Sequence, residues 1–81
     1  MTRDDVIAKL LPIMEDIFDE DDLVYADGLT ADDIAEWDSL SHIRFMVAVE
    51  RGFSIRFTTG EIEMFKNVGD MVSAIVAKTE G

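Results

Sequence analysis

Residues 36–52, EWDSLSHIRFMVAVERG, carry the strongest helical signal of the chain. Apolar residues recur at helical spacing from Ser39 to Arg51, and Gly52 is a suitable left-handed residue to end a helix. One part of the apolar arc is expected to face the core: Phe45, Met46 and Val49. A second part widens the arc toward Ser39: Leu40, Ile43 and Val47. The stretch therefore predicts a helix from Ser39 to Arg51 with an additional apolar strip near its start.

The segment before this helix predicts another helix and a long loop. Apolar spacing indicates a helix over residues 3–18, capped by Thr2 and continuous through Pro12, which points away from the apolar side. Residues 19–22 close that helix, and an acidic loop runs on to Trp37. Within the loop, Thr30 and Asp33 are expected to cap a single turn. A loop of nearly twenty residues is unusual in a small domain and indicates a functional or self-packed segment.

The segment after the central helix predicts a connector and two further helices. Residues 53–57, FSIRF, are expected to be extended, with the side chains of Phe53, Ile55 and Phe57 filling the core. Thr58 or Thr59 starts a short helix through about residue 65. Asn67 caps a last helix that reaches about residue 78. The sequence thus predicts one all-α domain over residues 1–81, a small four-helix bundle of three main helices and one short helix with a long loop between the first two.

Composition limits the functions that this domain can have. The chain has 81 residues, no cysteine and a formal net charge of −11. A surface this acidic repels nucleic acid and attracts basic proteins. No apolar run is long enough to span a membrane, and the first residues lack the apolar core of a signal peptide, so we expect no membrane insertion and a cytoplasmic location. A loop calcium site is not expected, because the EF-hand pattern started at Asp19 places Leu23 and Val24 where a ligand and a glycine are needed.

Ser39 is the candidate functional residue, and several roles are open to it. An Asp-Ser pair before a helix is most often an ordinary cap. Ser39 also ends the long loop, and a helix N-terminus favours a bound phosphate. A hydrolytic triad of Ser39, His42 and Asp38 is disfavoured, since the chain has no G-x-S-x-G elbow and is too small to exclude water. We expect His42 to be half-buried with one hydrogen-bond partner, the alternative being that it lines a groove for cargo, and we expect Trp37 to anchor the loop on the core.

The order of motifs resembles the acyl carrier protein family over nearly the whole chain. The resemblance lies in Asp38-Ser39-Leu40, a helix ending in an acid before Phe53, the Ile-x-Phe connector, and NVGDMV at residues 67–72. It implies a four-helix bundle whose Ser39 receives 4′-phosphopantetheine from coenzyme A by a Mg²⁺-dependent phosphopantetheinyl transferase. The protein would be a substrate and carrier, not a catalyst. The cysteine-free chain would then obtain its thiol from the prosthetic group, and we expect Ser39 both to cap its helix and to hold the group.

The resemblance also implies which residues contact partners. Asp38 and Leu40 would be recognised by the transferase, while Ile43 and Val47 would meet partner enzymes or cargo. The expected partners are acyl-loading, condensing or acyl-transfer enzymes with basic docking surfaces. We expect the carrier itself to be a monomer. Carriers of fatty acid synthesis have several acids on this helix, whereas here only Glu50 is acidic, which favours polyketide, modified-lipid or other specialised pathways. Two alternatives stay open: an aminoacyl or peptidyl carrier, and an acidic helical adaptor in which Ser39 is only a cap.

Overall fold

The chain folds into a helical bundle, seen in a computed structural model that describes residues 1–21 and 23–80. These residues contain no strand and four α-helices: α1 at Arg3–Phe18, α2 at Ser39–Phe53, α3 at Thr59–Met64 and α4 at Val68–Glu80. None of the helices in this part of the chain is long and apolar enough to cross a membrane. The predicted all-α class, with three longer helices, one short helix and a long loop before α2, is confirmed.

α1 has the predicted bounds and is continuous through Pro12. Its first turn is closed by a reciprocal cap, in which Thr2 Oγ1 accepts the Asp5 N–H at 3.2 Å and Asp5 Oδ2 accepts the Thr2 N–H at 3.2 Å. Asp19 ends the helix in the left-handed conformation, with a φ of 52°. Asp22, the last residue predicted to close α1, lies outside the described residues.

A single core joins the three longer helices, because α1 packs against both α2 and α4. Each contributes residues at helical spacing, as amphipathic helices in a bundle do. The buried core side chains of these helices are Val6, Leu10, Met14 and Phe18 from α1, Phe45, Met46, Val49 and Phe53 from α2, and Val68, Met71, Val72 and Ile75 from α4. The three residues of α2 that were predicted to face the core, Phe45, Met46 and Val49, are therefore confirmed as buried.

The end of α2 differs from the prediction. The helix does not stop at Arg51; it continues to Phe53, and Ser54 takes the left-handed conformation with a φ of 56° instead of Gly52. A non-glycine residue in this conformation costs about 1 kcal/mol, but the two additional helical residues include Phe53, which is only 7% exposed in the core. Gly52 has a packing role, since a Cβ at that position would lie 3.0 Å from Ile13 Cδ1.

The connector and the last two helices follow the predicted order. Phe57 is buried and Ile55 half-buried on an extended segment. Thr58, not Thr59, caps α3, because its Oγ1 accepts the Glu61 N–H at 3.1 Å. Asn67 Oδ1 accepts the Asp70 N–H at 2.8 Å at the start of α4, and α4 reaches Glu80 instead of ending near residue 78.

The long loop between α1 and α2 is fastened to the start of α4. Its backbone oxygens at Asp27 and Leu29 accept the N–H groups of Gly69 (2.9 Å) and Val68 (2.8 Å). The Arg3 guanidinium donates to Asp27 Oδ1 and to Ser73 Oγ, both at 2.8 Å. A predicted single turn is present as a 3₁₀ turn at Ala31–Asp33. The loop is thus packed against the helices, and these contacts fix the position from which the chain enters α2.

Candidate functional site

Trp37 fixes the last part of the loop on the core. Its ring stacks on Phe18 with ring centres 4.9 Å apart and meets the edge of Phe45 at 5.5 Å. Aromatic contacts of this kind stabilise a fold by more than the burial of their apolar area alone. The predicted role of Trp37 as a loop anchor is confirmed. Its packing fixes the position of Asp38 and Ser39, which follow it at the start of α2.

Asp38 is the N-cap of α2. Its backbone is extended, with φ −102° and ψ −174°, and its Oδ1 accepts the Ser41 N–H at 2.8 Å. That hydrogen bond from the Ser41 backbone favours the charged carboxylate and holds the pKa of Asp38 below its usual value of 3.8. The expectation that Ser39 caps the helix is wrong, because the residue before it supplies the acceptor and Ser39 already belongs to the first turn.

The Ser39 side chain is left free by this arrangement. Ser39 is exposed, and its hydroxyl has no hydrogen-bond partner among the described residues. It lies at the N-terminus of a helix of 15 residues, where the dipole and the unpaired N–H groups favour a phosphate. The geometry thus provides an accessible hydroxyl in the first turn of a helix that Asp38 caps.

His42 is half-buried and bonded to Trp37. The indole Nε1–H donates to His42 Nδ1 at 3.1 Å, and the two rings lie nearly parallel. This bond requires Nδ1 to be unprotonated. No hydrogen bond joins His42 to Ser39 within the described residues, and the Asp38 carboxylate is used by the helix backbone. A Ser-His-Asp relay is therefore not formed here, and the expected single-partner histidine is confirmed.

A groove runs beside Ser39. An open depression of about 380 Å³ is bordered by Ala31, Trp37, Asp38, Ser39 and His42. A second hollow of about 130 Å³ shares Ala31, Trp37 and His42 and continues toward Phe65 and Met71. His42 thus also borders both hollows, while its role in lining a groove for cargo stays a prediction. The walls formed by Ala31 and Phe65 were missed, since nothing in their local sequence marks them.

The second apolar strip of α2 faces solvent. Exposed fractions are 68% for Leu40, 61% for Ile43 and 41% for Val47. Three exposed aliphatic residues on one side of a helix form a patch that is available for contact with another molecule. The strip starts directly after Ser39, as predicted.

Acidic side chains crowd the loop that leads to this site. The Glu36 carboxylate can accept a hydrogen bond from the protonated form of Glu20, and this bond, together with the negative charge of Glu36, raises the pKa of Glu20. Even so, no group of three or more His, Asp or Glu side chains that could hold a metal ion occurs in the part of the chain that the structure describes. The loop is therefore a source of negative potential close to Ser39.

Comparisons with known proteins place this arrangement in context. The fold is similar to the solution NMR structure of a holo acyl carrier protein from Geobacter metallireducens, with a TM-score of 0.85 and 39% sequence identity. The match covers 93% of this chain and 85% of that protein. A scan against protein-family models and a search of curated proteins gave no match.

Proposed function

The chain belongs to the acyl carrier protein family, and we propose that it is an acyl carrier whose Ser39 holds a covalent 4′-phosphopantetheine group derived from coenzyme A. The observation that supports this most is the exposed, unbonded Ser39 hydroxyl at the start of α2. An attachment serine must be reached by a transferase, and a hydroxyl that capped its own helix would be tied to the backbone. Here Asp38 takes over the capping.

The surroundings of Ser39 fit such a group. Helix N-terminal N–H groups favour a phosphodiester, and the Asp38 charge that would oppose it is directed to the Ser41 N–H at 2.8 Å. Trp37 and His42 offer a partly apolar groove beside the serine. When bound, the group supplies a flexible thiol that carries an acyl chain as a thioester, a thiol that this cysteine-free chain lacks.

The residues around Ser39 then have separate tasks. Asp38 and Trp37 hold the backbone of the attachment site, while Leu40, Ile43 and Val47 present apolar surface to partner enzymes. His42 lines the groove and has no part in proton transfer. The protein is a substrate of a phosphopantetheinyl transferase and of acyl-loading, condensing or acyl-transfer enzymes, in polyketide, modified-lipid or fatty-acid type synthesis.

The acidic loop has an electrostatic task. Its charges attract basic regions of partners, so docking is fast, weak and sensitive to salt. Transferase efficiency is therefore expected to fall as salt is raised. An efficiency that is independent of salt would argue against such steering.

The proposal is tested by transfer of a fluorescent pantetheine analogue from its coenzyme A conjugate, with Mg²⁺ and a broad-specificity transferase. Wild type and Ser73→Ala should be labelled, since Ser73 is an exposed serine on α4 that bonds Arg3. Ser39→Ala should remain unlabelled while folded. Labelling of Ser39→Ala would refute the assignment of the group to Ser39, whereas failure to label folded wild type with several transferases would favour the adaptor function.

A further inference from the structure

The outer side of α2 is basic although the chain as a whole is strongly acidic. Of the 18 acidic residues in the chain, only Glu50 lies between residues 39 and 57, together with Arg44, Arg51 and Arg56. All three arginines are exposed. The ion pairs found within the described residues are Arg3 with Asp27 and Lys78 with Glu61, so none of the three arginines takes part in one there.

The arginines and the exposed apolar residues share one side of the helix. Positions 40, 44, 47 and 51 are four, three and four residues apart, which aligns them along α2. Arg44 therefore lies between Leu40 and Val47. A groove of about 450 Å³ at the end of α2 is bordered by Val47, Arg51 and Arg56, and also by Glu50, Ser54 and Ile55. We call this surface, formed by Leu40, Arg44, Val47, Arg51 and Arg56, the arginine face.

Glu50 leaves the formal charge of residues 39–57 positive, since it is one acidic residue against three arginines. It is half-buried, and its Oε2 accepts the Phe57 N–H at 2.9 Å, so its carboxylate is engaged with the backbone beyond α2. The acidic loop ends just before Ser39, and the arginine face extends along α2 after it. The chain thus presents charges of opposite sign before and after the candidate attachment residue.

We propose that the arginine face docks on an apolar surface patch of a partner enzyme, and that aspartate and glutamate side chains border this patch. The inference rests on the proposed carrier function and specifies its partners. Leu40 and Val47, at 68% and 41% exposed, supply the apolar area, and arginines pair with carboxylates through two parallel hydrogen bonds. A docking surface that is basic throughout would repel these arginines.

Orientation follows from the two signs of charge. The partner should be basic where it meets the acidic loop and acidic where it meets the end of α2. Complementary charges of this kind suppress wrong orientations and wrong partners. Ser39, which lies between the two regions, would then face the partner's active-site entrance in one orientation only.

The test is a nuclear magnetic resonance titration of the ¹⁵N-labelled full chain with two synthetic helical peptides. Both peptides carry the same leucine stripe, bordered by glutamates in one and by lysines in the other. The glutamate peptide should shift the amide signals of residues 40–56, whereas the lysine peptide should act on the acidic loop. Preference of the lysine peptide for residues 40–56, or no shift there with the glutamate peptide, would overturn the proposal.

Charge reversals make the test specific. Arg51→Glu should weaken binding of the glutamate peptide about fivefold, equal to about 1 kcal/mol, while Lys66→Glu, an equal change outside the face, should alter it less than twofold. Arg56→Glu repeats the test without touching α2. Equal effects of the reversals and the Lys66 control would overturn the proposal. Ser39 labelling is measured separately, so normal labelling with a failed peptide result rejects only the arginine face, and absent labelling rejects the carrier function.

Discussion

Gly69 joins the long loop to α4, and its replacement by alanine measures how much that attachment stabilises the fold. A Cβ at position 69 would lie 2.8 Å from Asp27 O and 2.9 Å from Asp27 Cβ. A backbone oxygen cannot rotate out of the way as the end of a side chain can. The loop therefore has to move away from the start of α4 in Gly69→Ala.

Two opposing effects determine the size of the change. Alanine is more favourable than glycine within a helix by about 1 kcal/mol. Movement of the loop breaks the hydrogen bonds from Gly69 N–H and Val68 N–H, and both residues are buried. At about 1.3 kcal/mol for each N–H left without a partner, the loss exceeds the gain by about 1.5 kcal/mol. That corresponds to a fall in Tm of roughly 6–12 °C for a domain of this size.

The assay is urea unfolding followed by far-UV circular dichroism, with Gly60→Ala as the matched control. Gly60 lies in α3, and a Cβ there would have Thr58 Oγ1 as its nearest neighbour at 4.0 Å. Gly60→Ala should therefore leave the free energy of unfolding unchanged or raise it by up to about 1 kcal/mol. If Gly69→Ala proves as stable as Gly60→Ala, the loop attachment does not have the energetic role assigned to it.

Three further predictions concern the cap of α2, the candidate attachment residue Ser39, and the contact between Tyr25 and Asp27 in the loop. Ser39→Ala should change the free energy of unfolding by no more than about 0.5 kcal/mol, because the exposed hydroxyl does not cap α2; a loss well above that in urea unfolding would restore Ser39 as a cap. The lowered pKa of Asp38 means that its carboxylate stabilises the fold above its usual value of 3.8 and that this contribution is lost as the pH falls through the lower folded value. The stability difference between wild type and Asp38→Asn should accordingly be constant near neutral pH and shrink below about pH 3.8; a difference that does not vary with pH would contradict this. Burial, together with the hydrogen bond to Asp27, raises the pKa of Tyr25 from 10.0 to about 12. Tyr25 is the sole tyrosine, so absorbance titration should show a midpoint near 12 in the folded protein and near 10 in urea. Stability should fall as the pH rises between these values; equal midpoints would refute the contact between Tyr25 and Asp27.

The helices were predictable because their signals are local. Capping residues and apolar spacing gave α1 to within a residue, and the core positions of α2 and α4 follow from the same spacing. The exposed strip after Ser39 was also predictable, since it widens the apolar arc beyond what one buried face needs. These features depend on residues a few positions apart.

The errors came from contacts between distant residues. Gly52 is a suitable helix terminator by its local sequence, but burial of Phe53 and close packing against Ile13 keep it helical. The attachment of Asp27 to Gly69 joins segments more than forty residues apart, and no local pattern announces it. The capping role was assigned to Ser39 although Asp38 is an equally good acceptor, a choice that only the backbone geometry decides.

The measurement that tests the central claim most directly is the mass of the intact wild-type protein before and after incubation with coenzyme A, Mg²⁺ and a broad-specificity phosphopantetheinyl transferase. Fragmentation then locates the added group. The account predicts a gain of one phosphopantetheine, with every fragment that contains the adduct also containing Ser39. An unchanged mass with folded protein and several transferases, or an adduct on another residue, would contradict it.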